Sequence, residues 1–524
     1  MFLTILSAIL KVENLLTKYH YPPFITFFSK NGGLYMLFIS IFKNKLYFWQ
    51  KIYTMELIGR FNEKTLLQEI VGNDKPAFIA VYGRRRVGKT YLIKEYFKNN
   101  FTFYATGLAN STTNSQLINF GLALNQSFNN DFETPKNWLE AFYLLKNQLE
   151  KKKSKRVIFL DELPWFDTKK SEFISGLEWF WNSWASSQEN LKLIVCGSSA
   201  SWMLNKLIAN RGGLHNRVTH RMKIEPFTLY ETELFLESKN IKLDRYQIAN
   251  LYMVMGGIPY YLEQINKGLS ATQNIEKICF DKDGLLRSEF NYVFSSLFTN
   301  ADVHEKIIRS IFELGARATR EEILKQMNIA SSGEISKKIK ELEESGFVKS
   351  YVPFGANKAK KIYAISDYYT LFYLKFIENS KNSSWQNRSN NPEVISWSGL
   401  AFEQLCWDHS KSIKKALGIK GVYSETTIWN KKGTAENKGT QIDLIIDRKD
   451  RIINLFEIKY SINQYEITKN YDEVLRNKLA SFTAFTKTRK TVFLTMITTF
   501  GLVKNKYSGS IISNEIDLNQ LFLE

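Results

Sequence analysis

The chain has 524 residues, of which 44% are hydrophobic, so it is long enough to form about three domains with buried cores. Lys and Arg outnumber Asp and Glu by 71 to 52, and the resulting charge of +19 suits a polyanionic partner, nucleic acid first and an anionic membrane second. The three cysteines and five histidines show no disulfide or zinc-binding spacing, which excludes a disulfide scaffold and favours a reducing cytoplasm.

The first 54 residues are apolar but interrupted by lysines. The runs Met1–Val12 and Leu34–Phe42 are shorter than the ~18 apolar residues that a membrane-spanning helix needs, and no signal-peptide pattern is present. Met55 stands directly before residues 56–60, where the ordered domain is predicted to begin. Translation from Met55 is therefore one interpretation of residues 1–54, and a membrane-associating arm is the other; stable membrane insertion is not expected.

Residues 83–90 contain the G-x-x-x-x-G-K-T pattern of a phosphate-binding loop. The apolar run 77–81 before it reads as a buried strand and residues 91–97 read as a helix, which is the context that the motif requires. Lys89 would reach the β- and γ-phosphates of ATP, and the Thr90 hydroxyl would ligate Mg²⁺. The predicted ATP-binding residues of this loop are Gly83, Arg84, Arg85, Arg86, Val87, Gly88, Lys89 and Thr90.

The next candidate strand ends in two carboxylates. Residues 157–160 are apolar and lead into Asp161-Glu162, the Walker B pattern. Asp161 is predicted to hold the Mg²⁺ shell, and Glu162 is predicted to polarise the attacking water as the catalytic carboxylate.

Further candidates follow the strand predicted at 191–196. Ser198 either senses the γ-phosphate or belongs to a simple turn, and both interpretations stay open. Arg217 or Arg221 either stabilises charge on the transferred phosphoryl group or is solvated. Strands near 77–82, 101–106, 157–160, 191–196 and 221–224 alternate with helical patterns, which predicts a doubly wound parallel α/β sheet.

These motifs resemble the archaeal-type AAA/STAND ATPases. The resemblance covers ELIGRFNE (56–63), GRRRVGKT, FLDELPW, CGSSASWM (196–203), KIEPFTLYE (223–231) and the Gly-Gly-Ile-Pro segment at 256–259. It implies a P-loop ATPase core over 56–230 and a helical lid over 231–298. His215-Asn216-Arg217 departs from the family pattern, which usually has a Tyr-Gly-Arg-like turn at this place.

The segment 299–370 is predicted to be a winged helix. It would consist of helices at 305–314 and 331–345, a capped helix beginning at Thr319, and a hairpin of 347–352 with 362–365. Its lysines either contact DNA or form a solvated face of a module that only packs domains together, and the two interpretations are left open. These lysines are Lys337, Lys338, Lys340, Lys358, Lys360 and Lys361.

Residues 390–524 carry a third set of candidate residues. Asp443 lies in the apolar strand 441–447, and Glu457-x-Lys459 lies in the strand 453–459, so a hairpin would bring them together. The segment resembles the PD-(D/E)xK nuclease-like domain that accompanies these ATPases. That resemblance implies that Asp443 and Glu457 are metal ligands, that Lys459 orients water or stabilises charge, and that Glu403 from a preceding helix completes the site. A polar residue of the helix around Tyr471 would assist.

The sequence therefore predicts a cytoplasmic α/β protein with an ATPase core, a lid, a winged helix and a restriction-endonuclease-like domain. ATP and Mg²⁺ are its expected cofactors, DNA its expected partner, and a homo-oligomer is possible by the same resemblance. The expected function is ATP hydrolysis that gates Mg²⁺-dependent cleavage or binding of DNA. The alternative is a nucleotide-dependent signalling or oligomerisation switch with a non-catalytic C-terminal binding module.

Overall fold

Two compact units, 1–57 and 58–524, make up the chain. The computed structural model describes residues 25–30, 33–42, 45–53, 57–152, 154–208, 212–214, 216–298, 301–330, 333–357, 360–380, 384–388, 391–431 and 439–524. In the first unit, β1 (Ile25–Lys30), β2 (Gly33–Phe42) and β3 (Lys45–Tyr53) form an antiparallel meander. Met1–Val12 and Met55, on which the start-site interpretation depends, lie outside the described residues. Within the described part of the chain, no helix has the length and apolarity to cross a membrane.

The second unit begins with helix α1 (Phe61–Gly72) and a five-stranded parallel sheet in the order β5-β6-β7-β4-β8. Nearly every residue of its central strands is buried, as expected for a sheet covered on both faces. All five predicted strands are present, which confirms the parallel α/β fold. They are β4 (Ala77–Tyr82), β5 (Phe103–Thr106), β6 (Arg156–Asp161), β7 (Leu191–Gly197) and β8 (His220–Lys223).

The helices of this sheet pack through an aromatic core. Trp138 and Phe173 meet edge to face with ring centroids 4.8 Å apart, and Phe120 and Phe142 pack against the same indole. This core holds the helices against the sheet. In open α/β sheets the ligand site lies outside this core, at the carboxyl ends of the strands. The helices are α2 (Lys89–Tyr96), α3 (Thr113–Phe128), α4 (Trp138–Glu150), α5 (Phe173–Ser183) and the short α6 (Ala200–Trp202), which continues as π-helical turns over Met203–Ile208.

A helical segment, residues 229–297, follows the parallel sheet. Gly256 and Gly257 both have φ of 66°, and a Cβ on Gly257 would lie 2.2 Å from the Phe227 carbonyl oxygen, so this turn requires glycine. The Phe227 N–H donates to the Gly257 carbonyl at 2.8 Å, which ties the segment to the sheet. Its helices are α7 (Leu229–Ser238), α8 (Arg245–Met255), α9 (Pro259–Leu262), α10 (Ala271–Ile275) and α11 (Leu285–Leu297).

Residues 301–365, here called the small-sheet module, contain the three predicted helices and the predicted hairpin. The capping box between Thr319 and Glu322 is confirmed. A third strand was not predicted because it is only three residues long. The elements are α12 (Ala301–Glu313), β9 (Arg317–Thr319), α13 (Arg320–Gln326), α14 (Gly333–Glu344), β10 (Val348–Tyr351) and β11 (Ile362–Ile365), with sheet order β10-β11-β9.

Residues 391–524, the C-terminal domain, are built on a mixed five-stranded sheet in the order β12-β13-β14-β15-β16. The β13–β14 hairpin is antiparallel as predicted, and β14, β15 and β16 are parallel. The elements from residue 368 onward are α15 (Tyr368–Phe372), α16 (Trp385–Arg388), α17 (Pro392–Asp408), α18 (Ser410–Ala416), β12 (Ser424–Lys431), β13 (Thr440–Arg448), β14 (Ile452–Lys459), α19 (Lys469–Thr486), β15 (Thr491–Thr498), α20 (Ser508–Ile511), β16 (Asn514–Asp517) and α21 (Leu518–Leu521).

The edge strand β12 is covered by the chain that follows β10. The Phe354 N–H donates to the Ile428 carbonyl at 2.7 Å, and the Thr427 hydroxyl donates to the Val352 carbonyl at 2.7 Å. These bonds lie where the pairing of β12 with β13 shifts register between Thr427 and Trp429. The small-sheet module is therefore hydrogen-bonded directly to the C-terminal domain.

Candidate functional site

The phosphate-binding loop joins β4 to α2 at the carboxyl edge of the parallel sheet. Gly83 has φ of 145°, and a Cβ there would lie 2.3 Å from the Ile224 carbonyl oxygen. The Ile224 N–H donates to the Tyr82 carbonyl at 2.8 Å, so the chain after β8 runs tightly beside the loop. Gly88 has φ of 86° and begins α2. Both glycines are therefore required by the backbone, as the motif predicted.

Replacing Gly83 with alanine is expected to destabilise the protein by about 1–3 kcal/mol and to abolish nucleotide binding, because the added methyl group displaces the loop or the Ile224 carbonyl. Thermal unfolding and titration with a fluorescent ATP analogue measure the two effects. Gly72→Ala is the matched control, since a Cβ at that position meets nothing within 4 Å. Retained nucleotide binding in Gly83→Ala would contradict the assigned backbone requirement.

Lys89, Thr90 and Asp161 meet at this loop. The Lys89 ammonium donates to the carbonyl oxygens of Gly83 at 3.1 Å and Arg84 at 2.9 Å, and its burial lowers its pKa. The Thr90 hydroxyl donates to Asp161 Oδ1 at 3.0 Å, which brings the ends of β4 and β6 together across β7. Burial, followed by the neighbouring Glu162 charge, raises the pKa of Asp161.

These residues fit a magnesium nucleotide. A threonine hydroxyl and an aspartate carboxylate in contact are oxygen donors of the kind that Mg²⁺ prefers. The buried lysine beside them supplies the positive charge that a polyphosphate requires. Thr90 and Asp161 would hold the metal, and Lys89 with the amides of the loop would hold the phosphates.

Glu162 is held by the turn after β7. Its Oε2 accepts hydrogen bonds from the Ser198 hydroxyl at 2.9 Å and the Ser198 backbone N–H at 3.3 Å. Glu162 itself has a left-handed backbone with φ of 48°, an uncommon conformation for a residue other than glycine. Ser198 therefore orients the candidate catalytic carboxylate, a positioning contact that neither sequence interpretation of Ser198 included.

Arg60 supports the loop from behind, a role that sequence reasoning missed. Its side chain is 4% exposed and donates to the Val87 carbonyl at 2.7 Å and the Glu225 carbonyl at 2.6 Å. Its guanidinium also lies over the Phe227 ring, 4.6 Å from the centroid. The Gly59-Arg60 pair of the ELIGRFNE segment was the only signal that the sequence offered for this contact.

Two of the three loop arginines contact other parts of the chain. Arg84 forms a bidentate pair with Asp367, with Nη2 to Oδ2 at 3.0 Å, and both side chains are almost fully buried. Arg86 pairs with Glu289 of α11 at 2.6 Å and lies over the Tyr260 ring, 4.2 Å from its centroid. From the motif alone, Arg84 and Arg86 were predicted only as residues of the loop, because their partners stand too far along the chain to be found by spacing.

Arg85 and Arg217 are placed differently. Arg85 is half-buried, and its charge acts on both Lys89 and Glu289. Arg217 is exposed, and its backbone N–H bonds to the Leu214 carbonyl at 3.1 Å. The structure shows no contact of the Arg217 side chain with the described loop residues. His215, which belongs with Arg217 to the segment that departs from the family pattern, lies outside the described residues.

The predicted C-terminal residues do lie together, but with an additional arginine. In the β13–β14 hairpin, Leu444 pairs with Phe456, so Asp443 and Glu457 stand at neighbouring positions. Arg317 of β9 lies 3.2 Å from Asp443 and 3.8 Å from Glu403 of α17. Burial first, and then the charge of Asp443, raise the pKa of Glu403 to about 8. These acids thus share a site with an unpredicted cation.

The Glu457 carboxylate is also fully engaged. It accepts hydrogen bonds from the Tyr471 hydroxyl and from Lys478 at 2.6 Å, and Lys459 lies 3.1 Å from Oε1. Burial alone would raise the pKa of Glu457, but Lys478 and Lys459 outweigh it and the pKa is lowered. No group of three or more His, Cys, Asp or Glu side chains in the described residues is placed to hold a metal. In this arrangement the two carboxylates that were predicted to bind metal, Asp443 and Glu457, are paired with cationic side chains instead.

Comparisons with known proteins agree with the first of these two sites. Residues 58–265 match the family described as an ATPase domain predominantly from Archaea. The chain is 23% identical over 427 residues to an uncharacterized protein of Methanocaldococcus jannaschii, covering 80% of this chain and 91% of that protein. It is similar to the structure of a Walker-type ATPase of Pyrococcus abyssi, with 16% identity, a TM-score of 0.47, and coverage of 62% of this chain and 97% of that one.

A second similar structure is the ORC2 protein of Aeropyrum pernix, with 13% identity, a TM-score of 0.41, and coverage of 62% of this chain and 93% of that one. The family match and the geometry of the loop lead to the same assignment. Residues 58–265 are thus similar to the ATPase domains found predominantly in Archaea, and they contain a loop with the geometry of a P-loop nucleotide site.

Proposed function

We propose that this protein is an ATP-hydrolysing switch whose nucleotide state controls Mg²⁺-dependent cleavage of DNA by the C-terminal domain. The observation that carries the proposal is the pair of buried contacts from the phosphate-binding loop to later parts of the chain, Arg84 to Asp367 and Arg86 to Glu289. A polyphosphate bound at the loop places negative charge beside both arginines. Their interaction with the two carboxylates therefore depends on the nucleotide.

Hydrolysis rests on four residues at one edge of the parallel sheet. Lys89 would stabilise the negative charge of the phosphates, and Thr90 with Asp161 would hold Mg²⁺, which would supply further positive charge. Glu162, oriented by Ser198, takes a proton from the attacking water. This arrangement is the reason to assign hydrolysis, and not only binding, to the domain.

A continuous set of contacts leads from the loop to the C-terminal domain. Asp367, the partner of Arg84, caps α15, whose first residue Tyr368 donates its hydroxyl to Asp408 at 2.7 Å. Asp408 is the last residue of α17, the helix that carries Glu403. A movement of the Arg84–Asp367 pair therefore acts on the helix that contributes to the second site.

The small-sheet module has the helix and strand order of a winged helix, and its structure favours a coupling role. Helix α14 packs against α6, which directly follows the Ser198 turn. Two of its three lysines lie beside glutamates of the same helix: Lys338 lies 3.2 Å from Glu341, and Lys340 lies 3.6 Å from Glu344. These glutamates reduce the positive charge that the helix offers to phosphates, which favours the interpretation as a domain-packing module.

The proposal for cleavage rests on the C-terminal domain alone. Asp443, Glu457, Lys459 and Glu403 come from two paired strands and an adjacent helix, and their charges act on one another. In the observed arrangement they do not form a metal site, so cleavage would require a change at this site. DNA is the substrate proposed because the chain as a whole is strongly basic.

The second candidate function is a nucleotide-dependent switch with a non-catalytic C-terminal binding module. The engagement of Glu457 by Lys478 and Tyr471 favours it, because a carboxylate with such partners is stable without metal. Assembly into a homo-oligomer belongs to this candidate.

Cleavage assays separate the two candidates. Labelled duplex DNA, single-stranded DNA and RNA are incubated with the full chain and Mg²⁺, with and without ATP. Replacing Glu457 with alanine is expected to abolish cleavage, and Lys89→Ala is expected to change its dependence on ATP. Glu425→Ala, which removes an exposed carboxylate on β12, is the control. ATP hydrolysis without cleavage under any condition would contradict the proposed nuclease and favour the second candidate.

A further inference from the structure

Glu403, Asp443 and Glu457 form the acidic cluster of the C-terminal domain, and the side chains that contact them come from two different parts of the chain. Three of these contacting side chains belong to the C-terminal domain itself and move with it: Lys459, Lys478 and Tyr471. Arg317 alone comes from the small-sheet module, as the first residue of β9. It is therefore the partner that a displacement of one module against the other can remove.

Arg317 lies where two carboxylates converge. Its Nη1 is 3.2 Å from Asp443 Oδ1 and its Nη2 is 3.8 Å from Glu403 Oε2, so one guanidinium spans both acids. Two carboxylates in such proximity repel each other unless a cation lies between them. A divalent cation would satisfy the same electrostatic requirement, but its oxygen ligands lie at about 2.0–2.6 Å, which leaves no room for the guanidinium. The two cations exclude each other.

The backbone presents Arg317 in a constrained way. Gly315 and Ala316, which precede it, both have left-handed φ angles, 86° and 63°, and the second is uncommon for a residue with a Cβ. Arg317 pairs with Ala364 of β11, and the Ile365 N–H donates to the Ala316 carbonyl at 3.1 Å. A strained turn held by neighbouring strands is a common feature of functional positions.

A cavity of about 350 Å³ adjoins the guanidinium, lined by Tyr351, Trp397 and Trp407 among others. The Tyr351 hydroxyl is buried and lacks a hydrogen-bond partner among the described residues. An unsatisfied buried hydroxyl is costly, and a guanidinium that left the carboxylates could donate to it. The Arg317 side chain thus has two positions available to it: the observed one between the carboxylates, and the neighbouring cavity beside the Tyr351 hydroxyl.

The module that carries Arg317 also touches the nucleotide site. Phe347, directly before β10, lies under the Arg84 guanidinium at 5.1 Å from its ring centroid. Because β10 and β9 both pair with β11 in one small sheet, a shift at Phe347 has a direct route to Arg317 through that sheet.

We propose that Arg317 occupies the place of a divalent cation between Glu403 and Asp443, and that withdrawal of this side chain opens the C-terminal domain to the metal. Arg317 is then a built-in inhibitor of metal binding. The inference rests on the proposed function for its biological purpose, but the exclusion of metal by the arginine is a separate physical claim.

Metal binding tests the claim directly. Isothermal titration calorimetry with Mn²⁺ is performed on the full chain without nucleotide, with Asp161→Asn present throughout to remove a candidate metal ligand of the ATP site. The Arg317→Ala variant is expected to bind one Mn²⁺ at the C-terminal domain about ten- to hundredfold more tightly than the parent does. This is the scale on which residues next to a metal ligand change metal affinity. Adding Asp443→Asn to Arg317→Ala should remove that gain.

Arg309→Ala is the matched control. Arg309 lies on α12 of the same module, pairs with Glu378 at 2.6 Å, and is 36% exposed against 32% for Arg317. It removes the same charge at a distance from the cluster, and thermal unfolding shows whether both variants are folded. Equal Mn²⁺ affinity in the two folded variants would overturn the inference.

Cleavage assays on the same variants keep the two proposals distinguishable. Tighter Mn²⁺ binding in Arg317→Ala with DNA cleavage supports both the inference and the proposed nuclease. Tighter binding without cleavage supports the inference and overturns the nuclease.

Discussion

Replacing Glu162 with glutamine is expected to lower the rate of ATP hydrolysis by about 10²- to 10⁴-fold, the usual contribution of a general base. ATP binding should stay close to that of the parent, because the residues that face the phosphates and the metal are Lys89, Thr90 and Asp161. Glutamine keeps the size of the side chain and can still accept from Ser198, so the change isolates proton transfer. Steady-state phosphate release and nucleotide titration measure the two quantities.

Two further variants make the result specific. Glu189→Gln alters an exposed glutamate of the same domain and should hydrolyse ATP at the parent rate. Ser198→Ala removes one hydrogen bond from Glu162 and should lower the rate by about tenfold or less, as a bond worth about 0.5–1.5 kcal/mol allows. A Glu162→Gln protein with unchanged turnover would show that another group activates the water.

Replacing Asp367 with alanine is expected to destabilise the folded protein by about 3–5 kcal/mol, because it leaves the buried Arg84 guanidinium without its counter-ion. The same change should weaken the response of the protein to nucleotide, since Arg84 belongs to the phosphate-binding loop. Chemical denaturation gives the free energy of unfolding. The ATP-dependent increase in melting temperature reports the response.

Asp367 also caps α15 through the Thr370 N–H at 3.0 Å, so the cap must be separated from the ion pair. Asp244→Ala removes a similar cap from α8 without an arginine partner and should cost only about 1 kcal/mol. The double variant Arg84→Ala/Asp367→Ala should be more stable than the sum of the single changes predicts. Strict additivity would show that the two side chains do not interact energetically.

The nucleotide site was predictable because its residues follow one another at fixed spacing. Gly83 to Thr90 form one loop, and Asp161-Glu162 end one apolar strand, so local pattern and strand order suffice to place them. The contacts of Arg84 and Arg86 were not predictable, because Asp367 and Glu289 lie some 200 to 280 residues away and carry no pattern of their own.

The C-terminal cluster shows the same limit in another form. Asp443 and Glu457 were brought together correctly, because a hairpin is a local structure. Arg317 was missed because it stands on a three-residue strand in a different module, and Lys478 because a lysine on an amphipathic helix usually faces solvent. Chemistry within one element can be read from sequence, whereas a group supplied by another domain requires the tertiary structure.

The two hydrogen bonds that join β12 to the chain after β10, one accepted by the Val352 carbonyl and one donated by the Phe354 N–H, have a consequence for solubility. As the outermost strand of its sheet, β12 would present unpaired N–H and C=O groups to any other strand. The chain after β10 covers part of that edge, and the Phe354 ring packs on Phe482 beneath it. A shortened chain that began at residue 391 would lose this cover and would be prone to self-association through strand pairing. The small-sheet module therefore also protects its neighbour from aggregation.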